Sequence, residues 1–151
     1  MAFPTPVPGL VIRYSYLWAD EYARGREEGS KDRPCAIILA TADEDGEQVV
    51  TVLPITHSPP ANLSLDVEIP PDTKRRLGLD DARSWVILGE ANRFIWPGPD
   101  VRPQSGGDSS SVAYGPLPFR LYETIRLKFI AILKARMAKA VPRTDWQAGK
   151  P

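Results

Sequence analysis

The 151-residue sequence contains one cysteine and one histidine, and its formal net charge is zero. A single cysteine permits no internal disulfide, and Cys35 lies in an apolar run where a small buried side chain is its simplest role. One histidine and one cysteine cannot assemble a zinc site of the usual ligand spacing. A Gly-Lys-Ser/Thr phosphate loop is also missing. The sequence therefore predicts no metal and no other cofactor.

Long apolar runs are missing as well. None approaches the roughly 18 residues that a membrane-spanning helix needs, and residues 1–6 lack the basic segment and apolar core of a signal peptide. We therefore expect a cytoplasmic protein that does not contact membranes. The length, with 42% hydrophobic and 25% charged residues, predicts one globular domain over residues 1–151.

Charge is distributed unevenly along the chain. Residues 1–115 contain 11 Lys and Arg against 17 Asp and Glu, whereas residues 116–151 contain 8 against 2. The basic C-terminal segment could contribute to phosphate binding, but a solvated helix face explains it equally well. Net charge therefore gives no argument for a nucleic-acid ligand.

Two apolar runs of strand length occupy residues 31–39 and 49–57. They are joined by the segment Asp43–Glu47, whose Asp-Gly pair is a strong hairpin signal. Arg33 stands at the start of the first run, and Thr56 and His57 stand at the end of the second. Because the start of one antiparallel strand lies beside the end of its partner, the sequence predicts that these three residues meet in a polar site at one edge of a sheet.

The rest of the chain predicts an α+β domain. Alternating apolar residues predict a half-buried strand at residues 10–18. Residues 19–32 have no regularly spaced apolar residues, and this predicts a mobile loop. Pro71 and Gly78 are placed to begin and to end a short helix. Further strands are predicted at residues 65–69, 84–88 and 92–96.

The C-terminal third is predicted to divide into three parts. Residues 97–116 are rich in proline, glycine and serine, and this composition predicts a long surface loop or linker. Apolar residues at helical spacing predict one amphipathic helix over residues 117–140. Residues 141–151 are predicted to form a frayed tail after this helix. The core of the domain is predicted at residues 8–96.

The order and spacing of these motifs resemble the MazF/PemK family of toxin endoribonucleases. Arg33-Pro34 opens an apolar strand, and Pro54-Ile55-Thr56 closes the next strand about twenty residues later. The similarity continues at residues 8–12 and 85–96. It implies a small SH3-like β-barrel of five to seven short strands with a C-terminal amphipathic helix, usually as a homodimer. It also implies that the loop at residues 19–32 flanks the active site and moves on binding.

The resemblance implies a metal-independent endoribonuclease that cuts single-stranded RNA by attack of the ribose 2′-hydroxyl. A small antitoxin protein would hold it inactive by laying a disordered segment across the RNA groove. Arg33 matches the principal catalytic residue of the family, and a guanidinium suits charge stabilisation on a phosphorane. Thr56 matches the catalytic threonine or serine, whose hydroxyl can donate to a phosphate oxygen. The alternatives are an exposed arginine that ends a loop and an ordinary strand threonine.

Four further residues are candidates. The imidazole of His57 suits a general acid or base, although the family pattern does not require histidine there and an exposed loop residue is the alternative. Glu90 takes the place of a family aspartate and could orient Arg33, accept a proton, contact RNA bases or simply occupy a turn. Arg93 and Trp96 match positions near the RNA groove, but a tryptophan also suits the core or a dimer surface.

Two other functions stay open at this stage. One is a non-catalytic barrel that binds RNA or protein, because Leu88 and Glu90 depart from the family pattern. The other is a toxin of related fold that binds DNA gyrase, since fold does not fix function. In gyrase-directed toxins the end of the terminal helix engages the target, and the residues that follow the helix here disfavour that alternative.

Overall fold

A computed structural model describes residues 3–29, 31–58, 65–104, 111–135 and 138–143. These residues form an α+β structure with eight strands and three helices. The strands are β1 (Leu10–Ser15), β2 (Asp32–Ala42), β3 (Gln48–Thr56), β4 (Asp66–Glu68), β5 (Trp85–Ile87), β6 (Glu90–Ile95), β7 (Ala113–Pro116) and β8 (Lys139–Pro142). The helices are α1 (Ala19–Ala23), α2 (Pro71–Leu77) and α3 (Phe119–Lys134). None of the helices in the described part of the chain is long and apolar enough to cross a membrane.

The hairpin formed by β2 and β3 is the centre of the sheet, as predicted. The two strands are antiparallel, with Cys35 opposite Pro54 and Ala42 opposite Gln48. In the turn, Asp43 Oδ1 accepts hydrogen bonds from the backbone N–H groups of Asp45 and Glu47, each at 2.9 Å. Gly46 has φ +80°, a conformation that favours glycine. This local chemistry explains why the hairpin could be predicted.

The sheet is mostly antiparallel, and its strand order is β4-β5-β3-β2-β1-β7. Strand β6 also pairs with β3 and carries β8, which is parallel to it. Strand β3 pairs with β6 near its start and with β5 at its end. Apolar clusters cover both faces, one against α3 and one around Tyr14 and Phe94. The described strands number eight, more than the predicted five to seven.

Helix α2 follows the predicted punctuation. Pro71 is its first residue, and Gly78 ends it with φ +71°. Thr73, Lys74 and Leu77 are buried on its inner face. The connection from Gly78 to β5 then returns along the end of the central hairpin, where it contributes to the candidate site.

The predictions for the first 32 residues were partly wrong. Strand β1 ends at Ser15 and is buried on both faces, because β2 and β7 flank it and a core cluster covers each side. The segment predicted as a loop contains α1. The first N–H of that helix, from Ala19, donates to the side chain of Glu90 at 2.8 Å. The N–H of the N-cap residue Trp18 donates to the side chain of Glu21 at 3.2 Å, so the helix has a local cap in addition to this contact from 71 residues away.

The predicted long loop also contains ordered, buried structure. Strand β7 pairs with β1, and Val101 forms an isolated bridge with Tyr14. Val101 and Val112 are buried in the core. The prediction of a surface loop was therefore wrong for β7 at residues 113–116 and for the buried Val101 and Val112, whereas the other residues of 97–104 and 111–112 form the predicted loop. Residues 105–110 of that prediction lie outside the described residues.

The C-terminal helix is confirmed, but it is shorter than predicted. Helix α3 has 16 residues and ends at Lys134, not at Ala140. The chain returns as β8 beside β6, and the N–H of Arg143 donates to the Arg93 carbonyl at 2.8 Å. The prediction of a frayed tail was wrong for residues 141–143, since these continue the sheet. The rest of that predicted tail, residues 144–151, lies outside the described residues.

Candidate active site

A cleft of about 540 Å³ opens where β2 begins and β3 ends. Its floor and sides come from these two strands, from the connection between α2 and β5, and from Arg13 and Tyr114 on β1 and β7. Arg33, Thr56 and His57 all line this cleft. The predicted meeting of these residues at one sheet edge is therefore confirmed, because β2 and β3 pair in antiparallel register.

Arg33 and the exposed Lys31 are the cations of this cleft that have no carboxylate partner among the described residues. The Arg33 guanidinium lies over the ring of Trp18, with 5.0 Å from the Cζ atom to the ring centroid. Its Nε atom is buried and has no hydrogen-bond partner in the described residues. A guanidinium keeps its charge and forms charge-assisted hydrogen bonds, so Arg33 can bind an anion in the cleft.

Thr56 is the last residue of β3 and presents its hydroxyl to the cleft. Its Oγ1 accepts a hydrogen bond from the N–H of Ser58 at 3.3 Å. Within the described part of the chain, no acceptor is bound by the Thr56 hydroxyl proton. The hydroxyl is therefore available as a donor to an oxygen in the cleft.

His57 is held by a polar network that crosses to the α2–β5 connection. Its Nε2 lies 2.8 Å from Asp80 Oδ2. The other carboxylate oxygen of Asp80 accepts from the Lys74 ammonium at 2.7 Å. The Lys74 side chain is only 5% exposed, and it also donates to Ser84 Oγ at 2.7 Å and to the Ala82 carbonyl. The hydrogen bond from Lys74 holds the pKa of Asp80 below its usual range, so this carboxyl is ionised.

The cleft is positively charged in a region that is acidic overall. Four cationic side chains line it, against the carboxylates of Asp32 and Asp80. The cations are Arg13, Lys31, Arg33 and Lys74. Asp32 Oδ2 lies 3.6 Å from Arg13 Nη2, and Asp32 Oδ1 lies 3.8 Å from Arg102 Nε. Cationic side chains with low-dielectric walls favour an anionic ligand.

The other predicted site residues do not line the cleft. Glu90 accepts hydrogen bonds from the Tyr16 hydroxyl at 3.1 Å and from the Ala19 N–H, and burial raises its pKa. Arg93 pairs through its backbone with Thr51 on β3. Trp96 packs edge-on against Phe3 and beside Phe94. Glu90, Arg93 and Trp96 therefore lie outside the lining of the cleft that contains Arg33, and their roles in substrate binding stay predictions.

Two residues of the network, Lys74 and Asp80, were not predicted from the sequence. One signal for Lys74 was available, because it shares a helical face with Leu77 at a spacing of three residues. No local pattern marks Asp80 as a partner of His57. Cys35, predicted as a buried side chain, is fully buried, and burial raises the pKa of its thiol.

Comparison with protein-family models, with curated proteins and with solved structures gives no significant match. The evidence for function therefore comes from the geometry of the cleft and from the sequence motifs.

Proposed function

We propose that this protein is a toxin of the MazF/PemK type, a metal-independent endoribonuclease that cuts single-stranded RNA. The observation that supports it most directly is the placement of Arg33, Thr56 and His57 around one positively charged cleft. The family resemblance assigns Arg33 and Thr56 to the active site, and His57 is the one imidazole in the chain.

The chemistry divides among the three side chains. Arg33 binds the non-bridging oxygens of the scissile phosphate, because a guanidinium fork matches this geometry and keeps its charge. Thr56 donates its hydroxyl proton to a phosphate oxygen. His57 acts as general base and takes the proton of the ribose 2′-hydroxyl.

The reaction then proceeds by internal displacement. The 2′-oxygen forms a bond to phosphorus, and Arg33 stabilises the negative charge that builds up on the phosphorane. The bond to the 5′-oxygen breaks, and that oxygen keeps the electron pair and takes a proton from water. The products are a 2′,3′-cyclic phosphate and a 5′-hydroxyl end, and His57 returns its proton to solvent.

Several finer features belong to the same proposal. The sheet, in which β3 pairs with both β6 and β5, would be an SH3-like barrel that stays open between its edge strands. The protein would be a cytoplasmic homodimer and would be inhibited by a small antitoxin. Glu90, Arg93 and Trp96 remain candidates for RNA contact outside the cleft.

Cleavage of a long mixed-sequence RNA in EDTA tests the proposal. Wild-type protein should produce discrete cuts with 5′-hydroxyl ends, and Arg33→Ala should lose at least about 100-fold in rate, because one group that stabilises a developing oxyanion contributes about 10²–10³. Arg120→Ala is the matched control, since it removes an exposed arginine from α3 and should cleave like wild type. Equal cleavage by Arg33→Ala would remove the basis of the proposal. RNA binding without cleavage would instead support the non-catalytic barrel.

A further inference from the structure

The network behind His57 contains two charged groups that the proposed reaction does not use. Asp80 joins His57 on one side and Lys74 on the other. Lys74 is buried, and all three of its ammonium protons have acceptors in Asp80, Ala82 and Ser84. Lys74 is therefore fixed by the protein and is not free to bind substrate. Any effect of this fixed cation is therefore on the protein groups that it contacts.

Lys74 and the backbone fix the orientation of the Asp80 carboxylate. Oδ1 accepts from the Lys74 ammonium at 2.7 Å and from the N–H of Ala82 at 3.2 Å. These two donors hold Oδ1 on the protein side, so Oδ2 faces His57 at 2.8 Å. An ionised carboxylate only accepts hydrogen bonds, and so the proton of the neutral imidazole must be on Nε2.

We infer that Asp80, held by Lys74 and the Ala82 N–H, is the positioning residue that directs the unprotonated Nδ1 of His57 to the substrate. This inference depends on the proposed ribonuclease function for its catalytic meaning. A neutral imidazole donates at one nitrogen and accepts at the other. With Nε2–H bound to Asp80, Nδ1 has the lone pair that takes the 2′-hydroxyl proton. The half-exposed imidazole would otherwise sample other orientations.

The substitution Asp80→Asn tests this inference because it inverts the hydrogen bond. Lys74 and the Ala82 N–H are both donors, so the amide oxygen must take the Oδ1 position. The amide NH₂ group then faces His57, and Nε2 must accept. The imidazole proton moves to Nδ1, where it blocks the general base. In a catalytic His–Asp pair the same substitution gives the wrong tautomer and costs up to about 10⁴-fold in rate.

Two measurements separate the inference from the proposed function. A long-range ¹H–¹⁵N correlation spectrum at about pH 8.5, where an ordinary imidazole is neutral, reports the tautomer of the one histidine in the chain. Wild type should show the Nε2–H form and Asp80→Asn the Nδ1–H form. Single-turnover cleavage by Asp80→Asn should fall by at least about 100-fold, with RNA binding unchanged. Asp81→Asn, the same change at the exposed neighbouring residue, should match wild type in both measurements.

Each outcome is decisive. An unchanged tautomer in Asp80→Asn, or cleavage at the wild-type rate, would overturn the inference while the ribonuclease itself stands. An inverted tautomer in a protein whose wild type does not cleave RNA would overturn the proposed function and leave the positioning of His57 in place. Asp80→Ala gives a second check, because it removes the acceptor without supplying a donor. It should give a mixture of both tautomers, and a single tautomer would contradict the role of Asp80.

Discussion

Arg143 offers a sharp test of the fold, because sequence patterns placed it in a frayed tail. In the structure its side chain is 3% exposed and lies 3.1 Å from Asp100 Oδ2. Its Nη1 also donates to the Ser15 carbonyl at 2.8 Å and to Asn92 Oδ1 at 3.0 Å. Arg143→Ala would leave the Asp100 carboxylate without this partner, and it would remove one donor each from the Ser15 carbonyl and from Asn92 Oδ1, which also accepts from the Leu17 N–H at 3.0 Å.

The expected loss follows from this arrangement. Breaking a buried ion pair by removing one partner costs about 3–5 kcal/mol, and for a chain of this length that corresponds to roughly 6–20 °C in melting temperature. Urea unfolding followed by circular dichroism measures the loss. Arg126→Ala, which breaks a surface pair with Glu123 on α3, is the control and should change stability little.

The pH dependence of Arg143→Ala adds a second criterion. Burial raises the pKa of Asp100, and the nearby Arg143 charge opposes that rise. Without Arg143 the pKa of Asp100 rises further, so the folded state favours the protonated carboxyl. The stability deficit at neutral pH should therefore shrink as the pH is lowered through this pKa. An Arg143→Ala variant as stable as wild type at neutral pH would refute the reasoning and restore the frayed tail.

Two further predictions concern Glu90 and His57. Glu90→Gln keeps the oxygen that accepts from Ala19 and Tyr16 but removes a carboxyl whose pKa is raised by burial, so urea unfolding should show equal or greater stability at neutral pH. Wild type should gain stability relative to Glu90→Gln as the pH falls through the raised pKa of Glu90. Glu90→Ala should lose about 1–3 kcal/mol in free energy of unfolding. A loss of stability in Glu90→Gln at neutral pH would contradict this account. His57→Ala should slow single-turnover RNA cleavage by about 100-fold; an undiminished rate would contradict its role as the general base.

The elements that sequence patterns predicted well carry their signals locally. The turn of the hairpin is stabilised by Asp43 and Gly46 within the turn itself, and α2 is delimited by its own Pro71 and Gly78. The elements that were missed depend on distant partners. Helix α1 is tied to Glu90 in addition to its local cap from Glu21, and β7 and β8 pair with the free edges of β1 and β6. Such long-range contacts leave no pattern among neighbouring residues of the sequence.

The candidate site divides in the same way. The pairing rule for antiparallel strands brought Arg33 to Thr56 and His57, because all three lie on one hairpin. Lys74 and Asp80 reach the cleft only after α2 packs against the sheet and its connection turns back. Their partnership with His57 spans 17 to 23 residues and has no periodicity that a sequence would reveal.

The charge of the cleft shows why net charge misleads at the level of a site. Residues 1–115 carry an excess of carboxylates, yet the two carboxylates that line the cleft, Asp32 and Asp80, are paired with Arg13 and Lys74. Asp43 bonds the backbone of its turn, Glu68 pairs with Arg83, and Asp80 is held by Lys74. Arg33 has only the face of Trp18 against it among the described residues. What a ligand meets is the charge that the fold leaves uncompensated, and in this acidic region that charge is carried by Arg33 and by the exposed Lys31.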